Sequence, residues 1–206
     1  MAPERQDMEK QGARSLARLI WPEALVAAAA VALFSRAVFT SASFYLRDIG
    51  PYVLPMKEWW RGRVLGGHLP EWIPSIGLGM PFLADPGNQC FYPPALLLLL
   101  PLPQGLDLFL AAHVVLAAIG AVRLARALGA DPAGSAIAGA SFGLGGYVVS
   151  MTGSGLYLCS AAYLPWVALA IVDLRRSPRI RRPAAILALL VALQLLAGDL
   201  QGVLIS

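Results

Sequence analysis

Apolar runs long enough to cross a lipid bilayer, separated by short basic turns, constrain this chain more than any other feature of its 206 residues. A hydrocarbon core about 30 Å thick takes roughly 20 apolar residues to span as a helix. Runs of that kind lie at 22–41, 106–128, 133–151, 156–174 and 183–200. They predict an all-α membrane protein of about five transmembrane helices. Composition agrees: 58% of residues are hydrophobic and 14% charged, against about 25% charged in soluble domains. The first run follows a polar stretch and no small-residue cleavage site precedes Arg47, so it reads as a retained span and not a cleaved leader.

Charge assigns the sides. Residues 1–18 form a polar tail carrying Arg5, Lys10, Arg14 and Arg18. Arg123 and Arg126 follow the second run, and Arg175, Arg176, Arg179, Arg181 and Arg182 follow the fourth. The turn between the third and fourth runs, MTGSGL, carries no charge. The positive-inside rule therefore predicts a cytoplasmic N-terminus and an extracytoplasmic loop at 42–90. The net charge of +4 is topological on this reading and is no signal for nucleic acid. Arg47, Lys57, Arg61 and Arg63 break the pattern, because they fall in the outer loop.

That loop is rich in Pro, Gly and Trp, and only 53–65 reads as a short helix. Loops of this length are uncommon unless functional. The next segment, FYPPALLLLLPLP at 91–103, is apolar, bracketed by prolines and too short to span, which predicts a re-entrant or interfacial helix. The Trp21–Pro22 pair marks an interface and a helix start. The string GLGGY at 143–147 falls inside the third run and reads as a packing feature, not a phosphate loop.

Three acids reach the predicted outer face: Asp48, Asp85 and Asp199. A carboxylate there could act as a general base or bind a divalent cation. Asp48 and Asp85 could equally cap turns, as Asp does before Gly or Pro. Arg36 could reach the lipid headgroups or meet a lipid phosphate. His113 and Gln194 fall within runs and Gln201 just beyond one, and each could be a helix-to-helix hydrogen-bonding residue or a ligand. Trp59, Trp60 and Trp72 could form an interfacial belt or a stacking platform for sugar or lipid. Cys90 and Cys159 match no metal spacing, and a disulfide between them is open.

The loop motif resembles the bacterial YfhO-like membrane protein family. The family's Gly-x-Leu-Pro-x-Trp-x-Pro element corresponds to Gly67, Leu69, Pro70, Trp72 and Pro74. Gly79 and Pro81 follow, and then Tyr92, Pro93 and Pro94 ahead of an apolar helix. Asp48 is similar to the Asp after the family's first span, and His113 to a His in the next. Tyr163–Leu164–Pro165–Trp166 is similar to its aromatic-Leu-Pro element. Gly198–Asp199–Leu200–Gln201 is similar to its Gly-His-Pro-Gln element, with Asp and Leu in place of His and Pro.

The resemblance implies a GT-C-like glycosyltransferase of the bacterial cytoplasmic membrane, taking a sugar from a polyprenyl-phosphate carrier to a cell-envelope acceptor. It implies Asp48 as the catalytic acid, Asp85 or Asp199 as a second one, and Arg36, Arg47, Arg61 and Arg63 as contacts to the carrier phosphate or membrane lipid. A divalent cation is a possible cofactor. No second acid neighbours Asp48 in the chain, since Arg47 and Ile49 flank it. Family members carry more spans, so the resemblance also implies an N-terminal portion of a longer protein. The competing expectations are a non-catalytic membrane scaffold and a transporter or flippase-like protein. A transporter would show an internal repeat and polar breaks at mid-membrane, whereas the polar residues here gather at the outer ends of the runs.

Overall fold

The computed structural model describes residues 2–45 and 47–205, with the side chains of 2–19, 201, 202 and 205 outside that description. Residues in helices make up 71% of the chain. Three helices are long and apolar enough to cross a membrane: the Ile20–Phe39 part of α1 (Ala2–Phe39), α3 (Gln104–Ala127) and α6 (Leu156–Arg176). α1 runs unbroken through Pro22, so the helix start expected at that proline is replaced by a helix extending back to Ala2.

α3 is the central helix and packs on α1, on α6 and on α4 (Pro132–Gly143). Small residues let the backbones approach: a Cβ built on Gly143 would lie 2.7 Å from Ala118 Cα, and one on Gly120 would meet the Trp166 ring. This is the small-residue interface expected where apolar helices cannot rely on solvent exclusion alone.

The third apolar run is two helices here, α4 and α5 (Gly146–Met151). Gly145 sits between them at φ −69, ψ 158, an extended conformation that ends the helix. Three glycines within Gly143–Gly146 make that break cheap, since each costs about 1 kcal/mol relative to Ala in a helix. The fifth run forms α7 (Arg181–Leu196), whose 16 residues reach about 24 Å. Gly198, at φ +90, then turns the chain into α8 (Leu200–Ile205).

The loop after α1 is folded onto one pole of this bundle. A π-helical turn at Ile49–Val53 leads into α2 (Leu54–Leu65), matching the short helix read at 53–65. A two-residue hairpin pairs β1 (Trp72–Ile73) with β2 (Met80–Pro81), antiparallel. Short 3-10 turns follow at Pro86–Asn88 and Pro93–Leu99. The second lies in the apolar 91–103 segment, packed against the start of α3 where Gly105 meets the Leu97 and Leu100 carbonyls. The buried core joins this loop to the helices through Ile49, Met56, Trp60, Phe82, Tyr92 and Leu98.

The two poles differ in chemistry. At one, Arg126 pairs with Glu23 at 2.9 Å and Arg176 donates to the Ala127 carbonyl at 2.5 Å, tying the start of the apolar part of α1 to the ends of α3 and α6. At the other, the Ser43 hydroxyl and the Phe44 amide donate to Asp107 Oδ1 at 3.0 and 3.1 Å, which closes the end of α1 on the start of α3. The arginine-rich turns lie at the first pole and the folded loop lies at the second.

Candidate functional site

A cavity of about 260 Å³ opens at the loop pole. Asp48 and Asp85 both line it, so two acids 37 positions apart share one space. Lys57, Asn88, Gln89, Ser154 and the rings of Tyr52, Phe109 and Tyr157 complete most of the wall.

Each wall is held by backbone chemistry. The Asp48 amide donates to the Gly153 carbonyl at 3.2 Å, joining the loop to the α5–α6 turn. Its own carbonyl accepts from Tyr52 and Val53, starting the π-helical turn. Asp48 is thus a structural cap through its backbone while its exposed side chain stays available. Asp85 takes the Gly87 amide on Oδ1 at 2.9 Å, the Asx-turn arrangement expected before Pro86. Both acids therefore make the turn contacts expected of them and also line the cavity.

Lys57 is the residue the sequence did not single out as part of a site. It is 5% exposed. Its ammonium donates to the Asn88 carbonyl at 2.8 Å and to Gln89 Oε1 at 3.1 Å. Gln89 in turn donates from Nε2 to the Ala197 carbonyl at 2.9 Å. It sits in the left-handed region at φ 56, a conformation that costs a non-glycine residue and is held only when the surroundings over-determine it. One Lys–Gln pair therefore links α2, the 86–89 turn and the α7–α8 corner. Burial lowers the Lys57 pKa to about 8, only partly offset by Cys159, Cys90 and Asp85 nearby. Burial also raises the Cys90 thiol and the Tyr92 hydroxyl above their ordinary values. Cys90 and Cys159 are free thiols, so the disulfide left open by the sequence is not formed.

The remaining charged candidates do not line this cavity. Asp199 is buried in the α7–α8 corner, near the cavity-lining Gly87: a Cβ on the adjoining Gly198 would lie 2.9 Å from Gly87 Cα. Arg47, at φ 55, lays its side chain over Gly153, next to the lining residues Ser154 and Gly155. Arg61 donates from Nε to the Leu99 carbonyl at 3.0 Å, and Arg63 from Nη2 to the Leu69 carbonyl at 3.3 Å. Both therefore brace the loop. Arg36 is exposed in the last turn of α1.

The loop motif builds the hairpin. Trp72 and Pro81 pair across it, the Trp72 indole lies over Gly79, and Pro70 and Pro74 flank β1. The Trp59 and Phe82 rings meet tilted at 51° with centroids 4.8 Å apart, Trp60 is buried, and Trp72 is exposed. Tyr92 and Pro93 open the second 3-10 turn. There the Tyr92 hydroxyl reaches His113 Nε2 at 2.6 Å and the Tyr163 hydroxyl at 2.9 Å. His113 Nδ1 lies 2.7 Å from the Phe109 carbonyl, which can only accept, so Nδ1 carries the proton. A neutral ring then accepts from Tyr92 at Nε2. His113 is thus a hydrogen-bonding residue between α3 and the loop. Gln194 donates to the Ser160 carbonyl at 3.2 Å, joining α7 to α6. The side chain of Gln201 lies outside the described residues.

Compared with models of known families, with curated proteins and with solved structures, the chain matches none. Among the described residues no group of three or more His, Cys, Asp or Glu gathers as a metal site. Chemically, the cavity offers two carboxylates, one buried ammonium and an apolar and aromatic wall next to helices of membrane-spanning length. That set suits an amphipathic ligand, with carboxylates able to take a proton from a hydroxyl.

Proposed function

We propose that this protein is a GT-C-like membrane glycosyltransferase, or the N-terminal portion of one, that moves a sugar from a polyprenyl-phosphate carrier to an extracytoplasmic acceptor. The observation that carries the reading is the joint presence of Asp48 and Asp85 on one cavity at the pole opposite the arginine-rich turns. The YfhO-like loop motif supports it, because its residues build the hairpin and the Tyr92 turn of the same folded loop that carries Asp48 and Asp85.

On this reading the arginine-rich pole is cytoplasmic and the cavity faces outward across a bacterial cytoplasmic membrane. The α4–α5 pair and α7 join the three long helices as shorter membrane-embedded segments, for about five in all. Asp48 acts as the base on the acceptor hydroxyl, with its exposed carboxylate free of the backbone bonds that hold its position. Asp85, anchored by Gly87, is the second acid. Of the arginines in the loop, Arg47 lies next to the cavity wall as a phosphate contact, since Arg61 and Arg63 are engaged elsewhere.

The test is to reconstitute the protein in liposomes with a polyprenyl-phosphate-linked sugar and a hydroxylated acceptor. Sugar appearing on the acceptor is the expected outcome. Folded protein that releases no sugar from any such carrier would return the chain to the scaffold reading.

A further inference from the structure

Lys57 carries a buried charge with no direct ion pair among the described residues, Asp85 on the same cavity offsetting only part of the burial. Its side chain is 5% exposed. Its two hydrogen-bond partners, the Asn88 carbonyl and the Gln89 amide oxygen, are neutral. An ammonium has three protons, so one remains unassigned. Buried charges are ordinarily paired, and leaving one unpaired is among the costliest arrangements a core can hold. A methionine of similar volume would fill the space without that cost. The residue also lines the cavity, together with the Ser154 hydroxyl.

We propose that Lys57 holds an anionic phosphate group of whatever molecule occupies this cavity. Two carboxylates share the cavity and compete with such an anion: Asp85, whose Oδ1 takes the Gly87 amide at 2.9 Å, and Asp48, which is exposed. Cys90 and Cys159 lie nearby as free thiols. The Gln89 bond to Ala197 holds Lys57's own acceptor in place, so the ammonium is aimed before any ligand arrives. This rests on the cavity being the working site proposed above, and it holds whether or not a sugar is transferred there. It also assigns the phosphate to a residue other than the four arginines read from the sequence.

The experiment measures binding without turnover. Purified protein in detergent is treated with an amine-reactive methylating reagent, and modification of Lys57 is read by mass spectrometry. One arm adds inorganic pyrophosphate, and the other adds vesicles of phosphatidylcholine containing phosphatidate. Protection of Lys57 in the pyrophosphate arm identifies a site open to free phosphate, and protection in the phosphatidate arm alone identifies a lipid headgroup site. Lys57→Met should weaken binding of the protecting probe by about ten- to a hundred-fold. Asp85→Asn, which removes a competing carboxylate, should tighten it. Lys57 that is methylated equally with and without both probes overturns the proposal. So does a folded Lys57→Met protein that binds the probe as well as the parent. Because no transfer is assayed, failure here leaves the glycosyltransferase reading standing, and failure of that reading leaves this one standing.

Discussion

The Tyr92 hydroxyl and His113 Nε2 lie 2.6 Å apart in a fully buried setting, and the Tyr163 hydroxyl lies 2.9 Å beyond. One direction of donation satisfies the set: Tyr163 to Tyr92, Tyr92 to His113, and His113 Nδ1 to the Phe109 carbonyl. Tyr92 lies in the loop, and its partners lie in α3 and α6. The chain of bonds therefore fastens the loop to two of the long helices. Tyr92→Phe keeps the ring and removes the middle link, leaving the His113 lone pair without its donor. It should cost roughly 1–3 kcal/mol of stability, read as a lower unfolding midpoint in detergent. An unchanged midpoint would mean that the network does not hold the loop.

Lys57 gives a pH signature with a defined sign. Its pKa is about 8 in the folded protein and an ordinary 10.5 unfolded. Below pH 8 both states carry the proton and the folded state bears the full cost of the buried charge. Between about 8 and 10.5 the unfolded state binds more protons, so stability rises with pH through that window. The cost at neutral pH is about 3 kcal/mol. Lys57→Met should raise the midpoint at pH 7 and abolish the rise above pH 8. A parent protein whose stability falls steadily from pH 8 to 10 while Lys57→Met behaves identically would contradict the burial of this ammonium.

The helix interfaces predict opposite outcomes for two neighbouring glycines. A Cβ at Gly143 would enter the space of Ala118, whereas one at Gly146 meets nothing within 4 Å. Gly143→Ala should destabilise by about 1–3 kcal/mol through overpacking. Gly146→Ala, at the first position of α5, should be neutral or stabilising by up to about 1 kcal/mol. Thermal unfolding of the pair side by side decides it.

Hydropathy made α1, α3 and α6 legible because their apolar runs are long and continuous, and 53–65 stood out as the one short helix in the loop. The break between α4 and α5 was not, since a run of Gly and Ala scores as apolar while its glycines, poor helix formers, let the backbone turn at Gly145. Asp48 and Asp85 stood out as acids beside an apolar run and a proline-rich turn. Lys57 did not, because its burial comes from Asn88 and Gln89, 31 and 32 positions away. Nothing local to Met56–Lys57–Glu58 marks that contact. Arg61 and Arg63 were expected as carrier-phosphate contacts from the resemblance and their predicted side, and the structure gives their guanidiniums backbone carbonyls of the loop.

The proposed sidedness has its own check. In a background lacking Cys90 and Cys159, single cysteines at Ser75 and Ser177 report the two poles. An impermeant thiol reagent added to intact cells should label Ser75→Cys and leave Ser177→Cys untouched until the membrane is opened. Labelling of Ser177→Cys from outside would invert the orientation and move the cavity to the cytoplasmic side.

The most direct test of the central claim is the rate of sugar transfer by Asp48→Asn. The substitution keeps the side-chain volume and leaves the backbone bonds to Gly153, Tyr52 and Val53 in place. Expression, membrane insertion and unfolding midpoint should therefore match the parent. Loss of a general base lowers rate by about 10²–10⁴-fold, and that loss is predicted here, with Arg63→Gln retaining near-normal transfer as the control. An Asp48→Asn protein that is folded and transfers sugar at the parental rate would contradict the assignment of this cavity as the catalytic site.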